Sequence, residues 1–288
     1  MIRLIALDMD GTLLNPDHQV SENNRDSILA AQASGIQVMV ATGRGYQEAF
    51  DPVKSVGLDV AYICLNGAEV RETNKQVISS TYINEQDIEK TASILDKKAI
   101  DYQLFIGDRL YTKSVEQQVE IFAQLARDLN QVPPIDIIRA EVLRRVEEGY
   151  IHEVASFEEL LQTQAQSIYK IFGTSMNRSS LDLARGSLQN LPGLAVSSSG
   201  AGNLEITNVN AQKGIALEAY TKQHGISMEN VMVVGDSFND LSMMKRAGRS
   251  VAMGNAPEKI KENCTHITKT NADDGVSLAI EEVLKHQR

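Results

Sequence analysis

The chain has 288 residues and carries 28 Lys and Arg against 38 Asp and Glu, a formal charge of −10, so no broad basic surface exists for nucleic acid or an anionic membrane. Hydrophobic residues at 42% and charged residues at 23% match ordinary globular usage, which excludes disordered and fibrous classes, and the length predicts two domains or one domain with an insertion. No apolar stretch approaches the ~20 residues of a membrane span, no signal peptide is visible, and Cys64 and Cys264 fit no zinc or redox spacing, which together predict a cytoplasmic protein.

Short apolar runs recur, each followed by a polar or glycine turn and a helix-like pattern, which predicts βαβ units and a parallel sheet. Ile2 to Leu7 ends at Asp8. A helix-like stretch, Ser21 to Ser34 with Gly35 as its cap, leads into Ile36 to Ala41, which ends at Thr42-Gly43-Arg44. Ala61 to Leu65 then ends at Asn66-Gly67.

Between Asn84 and about Asn208 the pattern changes. Helix-like segments (Glu85 to Lys97, Val115 to Leu129, Arg178 to Gln189) mix with strand-like ones (Tyr102 to Ile106, Leu110 to Thr112, Ser167 to Phe172, Leu194 to Ser198, Asn203 to Thr207). Gly107-Asp108 and Ser199-Gly200-Ala201-Gly202 read as hairpin connections, so this stretch predicts an α+β domain with an antiparallel sheet. Pro133-Pro134 marks a loop inside it.

The parallel pattern resumes with Val231 to Val234, ending at Gly235-Asp236, and Ser250 to Met253, ending at Gly254-Asn255. The fold class is therefore α/β: a Rossmann-like parallel-sheet core, residues 1–83 and 208–288, with an α+β cap inserted at 84–207. Ligands of open α/β sheets bind outside the carboxyl ends of the strands, so these strand ends are expected to line one crevice.

Asp8-Met9-Asp10-Gly11-Thr12 places two carboxylates at a strand end, and Asp236 and Asp240 supply more from another. Strand-end carboxylates with no nearby His or Cys suit a hard cation held by oxygen ligands, Mg²⁺ above all. The same residues also read as turn and cap formers: Asp8 to Gly11 as an Asx turn, Thr42-Gly43-Arg44 as a turn before a helix near Tyr46, and Asn239 and Asp240 as residues favoured at a helix start. Lys213 by spacing alone reads as a solvated lysine ahead of a helix, Gly214 to Gln223. Asn66 and Asn255 read equally as structural turn residues. No HExxH pair or GxSxG elbow is present to suggest zinc-protease or serine-hydrolase chemistry.

Taken in order, Asp8-Met9-Asp10-Gly11-Thr12, Thr42-Gly43-Arg44, Lys213 and Gly235-Asp236-Ser237-Phe238-Asn239-Asp240 resemble the four motifs of the haloacid dehalogenase superfamily, across nearly the whole chain. The insertion between the second and third motifs, with Val251-Ala252-Met253-Gly254-Asn255-Ala256, resembles its Cof-type phosphatases. Gln212 and Met9 depart from the common pattern without touching a catalytic group.

The resemblance implies a Mg²⁺-dependent phosphatase of small phosphomonoesters, sugar phosphates first, working through an aspartyl-phosphate. Asp8 would be the nucleophile and Asp10 the general acid–base. Thr42, Gly43, Lys213 and Asn239 would hold the phosphoryl group, and Asp8, Asp10 and Asp236 the metal, with Asp240 bonded to metal waters or to Lys213. Arg44 and Asn66 are possible substrate contacts. A phosphotransferase or mutase using the same intermediate, and a non-catalytic phosphometabolite sensor, are the competing readings. The implied partner is a small phosphorylated metabolite, with no nucleic acid and no membrane.

Overall fold

The structure, a computed structural model, describes residues 1–128, 133–198 and 202–287. The chain forms two compact units, Met1–Ser80 with Asn210–Arg288, and Thr81–Val209. The first opens with strand β1 (Leu4–Leu7), helix α1 (Glu22–Ala33), strand β2 (Gln37–Ala41), helix α2 (Tyr46–Ser55) and strands β3 (Ala61–Cys64), β4 (Glu69–Arg71) and β5 (Val77–Ser80). The second comprises α3 (Glu85–Lys97), β6 (Asp101–Ile106), β7 (Arg109–Thr112), α4 (Val115–Asp128), α5 (Ile135–Glu147), β8 (Ile151–Glu153), α6 (Glu158–Gln164), β9 (Ile168–Thr174), α7 (Arg178–Leu188), β10 (Leu194–Ser197) and β11 (Asn203–Asn208). The chain then returns to the first unit for α8 (Lys213–Gln223), β12 (Val231–Gly235), α9 (Leu241–Met244), β13 (Arg249–Ala252), α10 (Glu258–Lys261), β14 (His266–Ile267) and α11 (Gly275–Gln287).

In the first unit the sheet runs β14-β13-β12-β1-β2-β3-β4-β5. From β14 to β3 all pairings are parallel. Every residue of β1 and of β12 is buried, as expected of central strands covered by helices on both faces. The helix α1 starts at the predicted Ser21, whose Oγ accepts from the Asn24 amide at 3.2 Å, and Gly35 follows it at φ +81°. The mixed α/β architecture is the one the apolar runs imply.

The structure adds to that reading at the sheet edge. Strands β4 and β5 pair antiparallel beyond β3. They are short and β5 is mostly exposed, so neither shows the continuous apolar run that marks a buried strand. Lys213 also differs: it lies inside the first turn of α8, not ahead of it, and is fully buried, because α8 packs its first turn into the unit.

The second unit has a sheet in the order β10-β11-β9-β6-β7-β8, antiparallel except for the β7–β8 pair. Gly107 turns the β6–β7 hairpin at φ +58°. The hairpin connection read at Ser199-Gly200-Ala201-Gly202 and the helix end read at Leu129 fall largely outside the described residues. Helices α3 and α7 cover one sheet face over Leu104, Ile171, Leu204 and Ile206. On the opposite face α4 and α5 enclose a smaller cluster of Leu110, Val119, Ile138, Val142 and Ile151 near β7 and β8. Among the described residues no helix is long and apolar enough to cross a membrane.

Helices α8 and α9 approach closely at Gly214, where an added Cβ would fall 2.0 Å from the Ser242 carbonyl oxygen. A methyl group there has nowhere to go but into α9. Gly214→Ala is expected to lower stability by about 1 to 3 kcal/mol, the usual range for overpacking, read as a shifted urea midpoint at unchanged slope.

Candidate active site

After β1 the backbone makes a tight turn over Met9–Leu13, with Leu14 N donating to Met9 O at 2.9 Å. Gly11 sits at φ +74°, and a Cβ on it would fall 2.6 Å from Asp236 Oδ2, so both conformation and space demand glycine. The turn sends its two carboxylates into different surroundings. Asp8 is buried, whereas the Asp10 side chain keeps 53% of its exposure.

Asp8 enters a buried ion cluster. Lys213 Nζ donates to Asp8 Oδ1 at 2.5 Å and to Asp240 Oδ1 at 2.7 Å, with no exposure of the lysine side chain. The other Asp240 oxygen accepts from the Asp236 and Ser237 amides, both at 3.0 Å, which closes the turn after β12. Gly235 leaves room for that carboxylate, since a Cβ on it would fall 2.5 Å from Asp240 Oδ2. Burial would discharge Lys213, but Asp240 and Asp8 outweigh it and hold the ammonium well above its ordinary value. Asp8 is pushed well up, by burial first and then by Asp240, with Lys213 opposing.

The other strand ends close around this centre. Arg44, after β2, grips both oxygens of Asp10, Nε to Oδ2 at 2.8 Å and Nη2 to Oδ1 at 2.5 Å. Desolvation pushes the Asp10 carboxyl up, but the Arg44 charge and hydrogen bonds win and lower it below its ordinary value. Thr42 is buried and its Oγ1 accepts from the Arg44 amide at 3.1 Å, with Gly43 half-buried between them. Asn239 Nδ2 donates to Asn66 Oδ1 at 3.1 Å, joining the loops after β12 and β3. Asn255, after β13, donates to the Gly11 carbonyl at 2.8 Å.

Apart from Lys213, which α8 brings in, the residues singled out in the sequence thus lie in the loops after these strands, and several of their side chains are hydrogen-bonded to one another. Two contributors carry no earlier role. Thr12 is fully buried and its Oγ1 donates to Asp236 Oδ1 at 3.0 Å. Ser242 Oγ accepts from the Gly214 amide at 2.9 Å and anchors the turn that carries Lys213. Thr12 stood in the quoted motif, while Ser242 gave no signal.

The model of one family, described as haloacid dehalogenase-like hydrolase, matches residues 5–280. The chain belongs to that family. Phosphatase YwpJ of Bacillus subtilis is 31% identical, covering 98% of this chain and all of its own. The 5-amino-6-(5-phospho-D-ribitylamino)uracil phosphatase YwtE of the same bacterium is also 31% identical, covering 99% of each. A solved haloacid dehalogenase-like hydrolase from B. subtilis superposes with a TM-score of 0.88 at 30% identity, covering 98% of this chain and all of that one. This haloacid dehalogenase-like chain is an enzyme, a hydrolase of the phosphatase kind.

Asp8, Asp236 and Asp240 each offer a carboxylate oxygen within 4.8 Å of the others, a donor set that fits a hard divalent cation. One lysine cannot balance three carboxylates, and Asp236 is pushed up to about 7, by burial and then by the Asp240 charge. Asp240 already spends both oxygens within the protein, which leaves Asp8 and Asp236 as the better donors.

A carboxyl that holds its proton more tightly when folded than when unfolded makes the native state bind more protons, so stability falls as pH rises. Metal-free protein should therefore lose melting temperature between about pH 4 and pH 7, the span from an ordinary carboxylate to the raised Asp236. Mg²⁺ added at pH 8 should restore it in calorimetry, and Asp236→Asn should reduce both the slope, to which the raised Asp8 also contributes, and the metal response.

Proposed function

We propose that this chain is a Mg²⁺-dependent phosphatase of small phosphomonoesters, with phosphorylated sugars and sugar alcohols as its first substrates. The carrying observation is the buried Asp8 carboxylate held by Lys213 where the strand ends meet. A desolvated charge pair of this kind costs free energy, and a nucleophile for phosphorus accounts for it. The name of the relative YwtE supports the substrate class, since it describes a phosphate carried on a ribityl chain.

In this reading Asp8 attacks phosphorus, forming an O–P bond as the bond to the leaving alcohol breaks. Lys213 holds the attacking carboxylate in place and offsets negative charge on the phosphoryl oxygens, while the Thr42 hydroxyl, the Gly43 amide and Asn239 hold those oxygens. Asp10 gives a proton to the departing alkoxide and takes one from the water that hydrolyses the aspartyl-phosphate. The Arg44 fork favours the charged, base form of Asp10, so donation to the alkoxide requires Arg44 to turn from Asp10 onto the substrate anion. Mg²⁺, held by Asp8, Asp236 and the Asp10 carbonyl, would supply the positive charge that draws nucleophile and phosphoryl group together. The second unit, Thr81–Val209, would act as the cap that selects the leaving group.

Phosphate release from a panel of phosphomonoesters, measured with Mg²⁺ and with EDTA, tests the proposal. Asp8→Asn should abolish release with the fold intact, and Asp10→Asn should cost roughly 10²- to 10⁴-fold in kcat, the range for a lost general acid–base. Turnover of Asp8→Asn near the native rate would end the covalent mechanism. Asp236→Asn should instead raise the Mg²⁺ concentration needed for half-maximal rate, with partial recovery at high magnesium.

A further inference from the structure

Asn255 takes no part in the chemistry above, yet it is tied to the turn that carries both catalytic aspartates. Its Nδ2 donates to the Gly11 carbonyl at 2.8 Å, across 244 positions of chain. Its Oδ1 accepts from the Asn271 amide at 3.0 Å, and this second bond settles which end of the side chain faces Gly11. Two more asparagines grip the far end of the turn. Asn271 Nδ2 donates to the Leu14 carbonyl at 2.8 Å, and Asn24 Nδ2 to the Leu13 carbonyl at 3.2 Å. Asn24 is fully buried, and its Oδ1 accepts from the Ser277 amide at 2.9 Å, so α1 and the start of α11 hold this end together.

The two aspartates depend on these bonds unequally. Asp8 is anchored without them: its amide donates to the Val234 carbonyl at 2.9 Å, and Lys213 holds its carboxylate. Asp10 has a half-exposed side chain gripped by Arg44, and that grip must be released before its carboxyl can hand a proton to the leaving oxygen. What then places the carboxyl is its backbone, and the next residue is a glycine, which takes positive and negative φ about equally readily. Gly11 stands at φ +74° and ψ 1°, and the bond from Asn255 to its carbonyl fixes that geometry. Asn255 is itself exposed, so truncating it removes these bonds without opening a cavity.

We propose that Asn255, steered by Asn271, is a positioning residue for Asp10: it holds Gly11 so that the Asp10 carboxyl stays aimed at the leaving oxygen once Arg44 lets go. The inference rests on the phosphatase reading above. In this role Asn255 touches no reacting atom and acts only through the turn. Its loss is therefore felt where the proton from Asp10 is needed. The alkoxide of a sugar alcohol leaves poorly without that proton, whereas p-nitrophenolate leaves as the anion.

The test compares ribitol phosphate with p-nitrophenyl phosphate at saturating Mg²⁺, by kcat/KM, which reports the steps up to departure of the alcohol. Asn255→Ala should lower kcat/KM for ribitol phosphate by about 10- to 100-fold, the usual cost of losing a residue that orients a catalytic one, and lower it far less for p-nitrophenyl phosphate. The loss should fall on kcat, with KM and melting temperature near their wild-type values. Asn255→Asp keeps the bond from the Asn271 amide and loses only the donor to Gly11, so it should show the same selective loss. In Asp10→Asn protein, Asn255→Ala should cost only a small fraction of this loss, because the two residues act as a unit. Equal losses on the two esters, unaltered kinetics in both Asn255 variants, or full additivity with Asp10→Asn would overturn the proposal. Wild-type protein that releases phosphate from neither ester would overturn the phosphatase reading itself, a different result from turnover with equal losses.

Discussion

A fully buried lysine between two buried carboxylates is the constraint on which the first unit is arranged. Removing one partner of such a group leaves an uncompensated charge at a cost of about 3 to 5 kcal/mol, so Asp8, Lys213 and Asp240 must arrive together. They come from three distant places: the end of β1, the first turn of α8 and the loop after β12. Parallel pairing of β1 with β12 puts two of these side by side, and the glycine contact of α8 with α9 admits the third. The sheet order and the helix packing are thus tied to the same ion cluster that offers the enzyme its nucleophile.

Around the cluster, surroundings separate carboxylates of identical intrinsic chemistry. Asp8 and Asp236 are pushed up by burial and by the charge of Asp240, while Asp10, two residues from Asp8, is drawn down by a guanidinium fork in a half-exposed position. Groups whose proton affinities are driven apart in one site are suited to different parts in one reaction. The turn over Met9–Leu13, which Gly11 completes at φ +74° directly after Asp10, carries the two side chains into these different surroundings.

Much of this was legible in the chain itself because the relevant signals are local. The runs LIAL and VMVVG are continuous and apolar, and the aspartates that follow each are the sort of residue that a core edge tolerates only with a partner. What escaped depends on long-range pairing. The Arg44 grip on Asp10 joins residues 34 positions apart, and nothing near either announces the other. Strands β4 and β5 are too short and too polar to stand out. In the second unit the alternation of Asn203-Leu204-Glu205-Ile206-Thr207 marks a strand plainly, yet which neighbour each polar residue meets is set by register, which the alternation leaves open.

The first unit is a discontinuous stretch of chain, interrupted by about 130 residues. Closing a flexible loop of that length before β12 can pair with β1 would burden the folding search, and the entropy grows with the logarithm of the loop. The two ends of the second unit relieve this. Tyr82 and Asn208 are joined by an Nδ2–H···O bond of 2.8 Å, and the Ile83 amide donates to the Ile168 carbonyl at 2.9 Å. Once the second unit has folded, its entry and exit are neighbours, and the loop that remains to be closed is shorter by the length of that unit. Such a chain favours an order of assembly in which the inserted unit forms early and delivers the second half of the catalytic sheet to the first.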